Sequence, residues 1–139
     1  MDRRTARETA FLMLFEREFK PDESAGDILA FEREIREIEE DEFTDRLYYG
    51  VIDKADAIDD VIKSHSVGWK TKRLSKVTIS ILRLALYEMM FMEDVPLKVS
   101  INEAVELAKK YEGEKAPGFI NGVLNSAADD LGLKNDEAK

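Results

Sequence analysis

The chain has 139 residues, of which 44% are hydrophobic and 37% are charged, and its formal net charge is −9. This length and balance suit one soluble globular domain and exclude a disordered chain. The sequence contains no cysteine and one histidine, which excludes disulfides and zinc sites built on thiolates. It opens without an apolar leader, and its longest apolar run, at 77–92, is interrupted by Arg83 and Glu88. We therefore expect a cytoplasmic protein without a membrane span.

The charge is distributed unevenly along the chain. Residues 21–60 carry four basic and fifteen acidic side chains, whereas residues 61–90 carry six basic side chains and one acidic one. An acidic protein is not expected to be coated generally by nucleic acid, because phosphate is repelled. Three arginines near the start of the chain nevertheless allow a local cationic site.

Apolar residues recur at spacings of three and four throughout, and no segment alternates in the manner of a strand, so the whole chain is predicted to be helical. The N-terminal half contains three predicted helices, at 3–19, 24–38 and 43–64. Asp2 and Ser24 are the expected N-caps of the first two. Gly68 and Trp69 mark the expected boundary between two sub-parts, at about 1–67 and 68–131, of a single domain. The segment at 69–74 is predicted as a short helix or turn.

The C-terminal half contains three further predicted helices, at 75–92, 100–111 and 117–131, followed by a polar, frayed tail at 132–139. The first is apolar nearly all round, which is typical of a helix in the middle of a bundle. Ser100 and Glu103 have the spacing of a capping box. Arg83 lies inside the apolar helix and needs an acidic partner, for which Glu88, Glu103 and Glu106 are the candidates.

The arginines near the N-terminus are the first candidate binding site. On a helix, Arg3 and Arg7 share one face and Arg4 lies about 100° from Arg3, so all three could reach one phosphate backbone. The alternative is a solvated helix start, although cations there do not favour helix stability.

Phe119 and the preceding Lys115 are the second candidate site, because aromatic side chains beside cations stack unpaired bases. A core position for Phe119 is the alternative. His65 has no second histidine to help bind a metal, and no nucleophile, metal cage or cofactor loop is evident. The residues therefore predict a binding protein rather than an enzyme, with no metal and no cofactor.

Four segments together resemble a known family. They are RRTARE at 3–8, ILRLALYE at 81–88, VP at 95–96 with SINEAVELAK at 100–109, and FINGVL at 119–124. In this order and spacing, over about 2–131, they resemble the NusB family of bacterial transcription antitermination factors. A NusB domain fused to an RNA methyltransferase would require a longer chain.

The resemblance implies an all-α, NusB-like helical bundle of about seven helices, with a three-helix N-terminal part packed on a C-terminal helical part. It also implies a non-enzymatic function. The family binds boxA, a short single-stranded RNA element of ribosomal RNA leaders, together with NusE, a protein of the small ribosomal subunit. The pair joins an antitermination complex on RNA polymerase. A protein-only interaction module, or a homodimer that hides its RNA face, is the alternative.

The resemblance also assigns residues to these partners. The RNA-binding positions that it implies are Arg3, Arg4, Arg7, Lys115 and Phe119. Some relatives have an acidic residue at the position of Lys115 and an arginine at that of Thr5. Thr78, where relatives often carry an acidic residue, falls on the surface for NusE. Phe15 is assigned to the same surface, with a place near the RNA or in the core as alternatives.

Overall fold

The computed structural model describes residues 1–66 and 74–134. These residues form seven α-helices and no strand, which confirms the predicted all-α class. The helices are α1 (Arg3–Arg17), α2 (Ala25–Arg36), α3 (Glu42–Asp53), α4 (Ala55–His65), α5 (Lys76–Phe91), α6 (Leu97–Tyr111) and α7 (Ala116–Asp130). The expected boundary at Gly68 and Trp69, most of the segment at 69–74 and the end of the tail lie outside the described residues.

Side-chain caps fix the beginnings of several helices. The carboxylate of Asp2 accepts a hydrogen bond from the backbone N–H of Thr5 at 2.7 Å. The hydroxyl oxygens of Ser24 and Ser75 do the same for α2 and α5, at 3.1 Å and 2.9 Å. Each cap satisfies a backbone donor that the helix itself leaves without a partner. The predicted caps of α1 and α2 are therefore confirmed.

The prediction of one helix at 43–64 is wrong, because the chain turns at Lys54 (φ −103°, ψ 17°) and forms two helices. α3 packs on α1 and α5, whereas α4 packs on α5 and α7. Buried Leu47 and Val51 belong to α3, and buried Ile58 and Ile62 to α4. The apolar spacing continues through the turn, so periodicity alone does not reveal it.

The predicted capping box at Ser100 is also wrong. α6 begins at Leu97, directly after Pro96, whose fixed φ suits a helix start. Ser100 is therefore inside the helix and buried, and its hydroxyl donates to Glu88 at 3.4 Å. Glu103 is consequently free to contact a different helix.

α5 occupies the centre of the bundle, as its apolar composition predicts, and contacts α1, α3, α4, α6 and α7. Ile81, Leu82 and Leu86 are fully buried in it. Gly50 of α3 allows a close approach, since a Cβ there would lie 2.1 Å from the ring of Tyr87. α1 and α6 thus both pack on α5. None of the described helices is both long and apolar enough to cross a membrane.

The predicted partners of Arg83 are wrong. Its guanidinium pairs with Asp59 of α4, at 2.9 Å and 3.1 Å, and with Glu18 at the end of α1. These carboxylates raise the pKa of Arg83 against the opposing effect of its burial. Arg83 faces α1 and α4 rather than α6, so it connects α5 to those two helices and leaves the glutamates of α6 for other partners.

Candidate nucleic-acid interface

The first two turns of α1 and the facing side of α6 enclose an open cleft of about 370 Å³. Four cations and three carboxylates line it together with one leucine. They are Arg4, Arg7, Lys109 and Lys110, Glu8, Glu103 and Glu106, and Leu107. The cleft is therefore lined mainly by charged residues, with a slight excess of positive charge within an acidic protein.

Arg4 lies at the mouth of this cleft. Its side chain is 72% exposed, and its Nε and Nη2 atoms donate to both carboxylate oxygens of Glu103 at 3.0–3.3 Å. This hydrogen bonding, and the charge of Glu103, raise the pKa of Arg4. The guanidinium is thus charged, accessible and engaged by an acid across the cleft.

Arg3 is also accessible, since about half of its side chain is exposed. Its guanidinium donates to Asp94 at 3.4 Å and lies 4.5 Å from the centroid of the Phe43 ring. Arg46 approaches the same aspartate at 3.7 Å. An exposed ion pair of this kind is weak and can be exchanged for another anion.

Arg7 differs from both. Its side chain is 5% exposed, and its Nε donates to the two oxygens of Glu88 at 2.9 Å and 3.0 Å. Burial raises the pKa of Glu88, while Arg7 and the hydroxyl of Ser100 oppose that shift. The guanidinium of Arg7 is therefore withdrawn from solvent, and its contact with phosphate stays a prediction. It holds α1 against α5 and so positions Arg3 and Arg4.

Two lysines of α6 extend the cations of the cleft, and the sequence analysis missed them. Lys110 donates to both oxygens of Glu8 on α1, at 2.8 Å and 3.0 Å, and Lys109 donates to Glu106 at 3.2 Å. The helical period places both on the polar side of α6. That α1 lies opposite them is visible only in the folded structure.

A second depression, of about 360 Å³, lies at the start of α5 and of α7. It brings together three residues that the sequence analysis singled out, Thr78, Lys115 and Phe119, beside Glu112. Lys115 is exposed, Phe119 is half-buried and packs partly on the core, and Thr78 is buried in the first turn of α5. Two of the residues expected to bind RNA, Lys115 and Phe119, therefore share one concave surface with Thr78, one of the two expected to bind NusE.

Phe15 belongs to a row of aromatic rings along α1. Its ring lies 6.3 Å from that of Phe11 and 5.0 Å, edge-on, from that of Phe19. Phe19 is 56% exposed, and the ammonium of Lys76, in the first turn of α5, lies 5.3 Å from its ring centroid. Phe15 is half-buried, so it connects the core to a surface at the start of α5.

His65 joins two helices. Its Nδ1 lies 2.8 Å from the hydroxyl oxygen of Ser126, and its Nε2 lies 3.3 Å from Asp130. These contacts connect the end of α4 to α7. Over 1–66 and 74–134, no three His, Cys, Asp or Glu side chains group as metal ligands would.

Comparison with known proteins agrees with this architecture. The model of the NusB family matches residues 4–129. The transcription antitermination protein NusB of Bacillus pumilus is 44% identical over 94% of this chain and 98% of its own, and that of Bacillus subtilis is 43% identical with the same coverage.

Two solved structures have the same fold. NusB of T. maritima superposes with a TM-score of 0.81 at 36% identity, covering 93% of this chain and 92% of its own. A chain in a crystal structure of the antitermination factors NusB and NusE in complex with dsRNA gives a TM-score of 0.82 at 29% identity, covering 92% and 96%. The match of the family model over nearly the whole chain, together with relatives above 40% identity, establishes that this chain belongs to the NusB family.

Proposed function

We propose that this protein is a transcription antitermination factor that binds boxA single-stranded RNA of ribosomal RNA leaders together with NusE, and joins the antitermination complex of RNA polymerase. The observation that carries the proposal is the exposed Arg4 at the mouth of a cationic cleft, on a chain of the NusB family. Relatives named as antitermination proteins, and a neighbour crystallised with NusE and dsRNA, support it.

One strand of RNA can follow both concave surfaces. The cleft extends along α6 to Lys110, and the second depression begins at Glu112 and continues to Lys115 and Phe119. From the position of Glu103 to the end of α6 is about 12 Å at 1.5 Å per residue. The two surfaces therefore succeed each other around the C-terminal end of α6.

Different residues make different contacts with the RNA in this proposal. Arg3 and Arg4 neutralise phosphates and set the position of the strand, which carries no sequence information. Phe119, beside Lys115, offers a ring on which an unpaired base can stack. Arg7 contributes by holding α1 in place.

The surface for NusE adjoins the RNA path in this proposal. Thr78 lines the second depression, and the row of Phe15 and Phe19 reaches the start of α5 through Lys76. A partner seated there would contact both protein and RNA. A homodimer that covers the cleft is the competing assembly, and light scattering at increasing concentration distinguishes it from a monomer.

The test is the fluorescence anisotropy of a labelled boxA RNA, with and without NusE, against a scrambled RNA and a double-stranded one. We expect boxA to be preferred and NusE to tighten its binding. The Arg4→Ala variant should weaken binding about tenfold, since a charge-assisted contact is lost, and should reduce the salt slope by about 0.7.

Lys63→Ala is the matched control, because it removes one exposed charge from α4, away from both surfaces. It should bind RNA like the wild type. Equal affinity for boxA and scrambled RNA in the presence of NusE would contradict the proposed function.

A further inference from the structure

Glu103 and Arg4 form an asymmetric ion pair across the cleft. The side chain of Glu103 is 18% exposed, whereas that of Arg4 is 72% exposed. The carboxylate belongs to the middle of α6 and forms part of the wall, and the arginine extends from the first turn of α1. The carboxylate is therefore the more enclosed partner, and the guanidinium is the one that a ligand can reach from solvent.

The charges around Glu103 explain why it pairs with Arg4. It lines a small gap together with Arg7, Glu88 and Ser100, so a second carboxylate lies close to it. Arg7, the arginine that lines this gap, is bound through its Nε to Glu88 at 2.9 Å. Arg4 supplies the compensating charge, through a bidentate contact at 3.0–3.3 Å.

We propose that Glu103 is an internal competitor of RNA phosphate for the guanidinium of Arg4. This inference rests on the proposed function. Carboxylate and phosphate both take two parallel N–H donors of a guanidinium, so they cannot both occupy the same edge of Arg4. An RNA phosphate that takes this edge, Nε with Nη2, must displace Glu103, which then remains as a negative charge beside the strand. Glu103 thus lowers the affinity for every RNA that uses this edge of Arg4.

The expected size follows from the exposure of the pair. Exposed ion pairs are typically weak, and at low salt we expect the loss of this one to change the affinity about two- to fivefold. Salt weakens the internal pair as well as the contact with RNA. The competition is therefore strongest at low salt, and it makes the salt dependence of the wild type shallower.

Glu103→Gln tests the competition, and Glu106→Gln is its matched control. Both variants remove one negative charge from α6, but Glu106 is 53% exposed and bonds to Lys109 instead of an arginine. In anisotropy titrations at about 50 mM salt, we expect Glu103→Gln to bind boxA RNA two- to fivefold more tightly than the wild type. Glu106→Gln should give less than half of that gain. The difference should shrink towards 0.5 M salt.

Scrambled RNA should tighten by the same factor as boxA, because a phosphate contact does not read sequence. Thermal unfolding of each variant checks the fold. Glu103→Asp serves if the glutamine variant is unstable, since it keeps the charge but withdraws the carboxylate by one methylene. It should give an intermediate gain.

The Arg4→Ala background separates the two proposals. There, Glu103→Gln should gain no more than Glu106→Gln does, because the contested guanidinium is absent. If Arg4→Ala weakens RNA binding but the two glutamine variants behave alike in the wild-type background, the competition is overturned and the proposed function stands. If Arg4→Ala leaves RNA binding unchanged, the proposed role of the cleft fails as well.

Discussion

Arg4 and Arg7 are one helical turn apart on α1, and each is paired with a glutamate, yet the two pairs lie in opposite surroundings. Arg7 and Glu88 are 5% and 2% exposed, between α1 and α5. Arg4 and Glu103 meet at the open mouth of the cleft between α1 and α6. Both pairs join an arginine of α1 to a glutamate of another helix, and they differ in how deeply they are buried.

This difference in burial indicates which of the two arginines can bind a ligand. Removing two charges from water is costly, and a buried pair recovers that cost only while both partners remain in place. The pair of Arg7 and Glu88 therefore fixes the position of α1. The pair of Arg4 and Glu103 remains in contact with water, so a phosphate can replace its carboxylate at little cost.

The largest expected effect comes from breaking the buried pair. Arg7→Met leaves Glu88 charged and without its partner in the core, which should lower the free energy of unfolding by about 3–5 kcal/mol. Urea denaturation followed by circular dichroism measures this loss. RNA binding should fall only to the extent that α1 loses its position.

A double variant shows whether the charge of Arg7 or the packing of its side chain accounts for the loss of stability. Replacing both residues, as Arg7→Met with Glu88→Met, removes the uncompensated carboxylate and should restore most of the stability. A double variant as unstable as Arg7→Met would mean that packing around the guanidinium, and not its charge, holds α1.

Two neighbouring tyrosines give the same comparison of a buried and an exposed side chain for a group that is uncharged at neutral pH. Tyr48 is fully buried and donates its hydroxyl hydrogen to the carbonyl of Ala25 at 2.8 Å, whereas Tyr49 is 42% exposed. Burial raises the pKa of Tyr48 from 10.0 to about 12. Above pH 10 the unfolded chain loses this proton while the folded chain keeps it, so stability falls as pH rises.

The contribution of Tyr48 to the free energy of unfolding is fully present below pH 10 and is lost as the pH rises through 12. The loss is about 1.4 kcal/mol per pH unit and about 2–3 kcal/mol in total. Denaturation between pH 9 and 12 should show a shallower decline for Tyr48→Phe than for the wild type. Tyr49→Phe is the control. Parallel declines of all three proteins would contradict burial as the cause.

The smallest effect is expected from the exposed pair. Arg4→Ala should change the melting temperature by no more than about 2 °C, because exposed ion pairs contribute little to stability. Differential scanning calorimetry of the Arg4→Ala and Arg7→Met variants compares their changes in Tm directly. A large drop in Tm for Arg4→Ala would show that the mouth of the cleft is part of the core.

Local features of the fold were predictable because they depend on residues close in the chain. The caps at Asp2 and Ser24 and the central place of α5 follow from spacing and composition, and the structure confirms them. The turn at Lys54 was not predictable in this way, because it depends on which helices α3 and α4 pack against.

The candidate site was predictable only in part, because its residues come from helices that are distant in the sequence. Arg3, Arg4, Lys115 and Phe119 were identified from the sequence. The structure places Arg4 in the cleft, and Lys115 and Phe119 in the second depression, whereas Arg3 lines neither and is half exposed. Their contacts with RNA remain predictions. Glu103 was assigned to a cap, and its contact with Arg4 joins residues 99 positions apart.

The helical character, the uneven distribution of charge, the cluster of arginines near the N-terminus and the resemblance to the NusB family all follow from the order of the amino acids. The burial of Arg7, the exposure of Arg4 and the carboxylate that each arginine contacts follow from the packing of the helices. Helical periodicity depends on neighbours three or four residues away, whereas burial and ion pairing depend on side chains that only folding brings together.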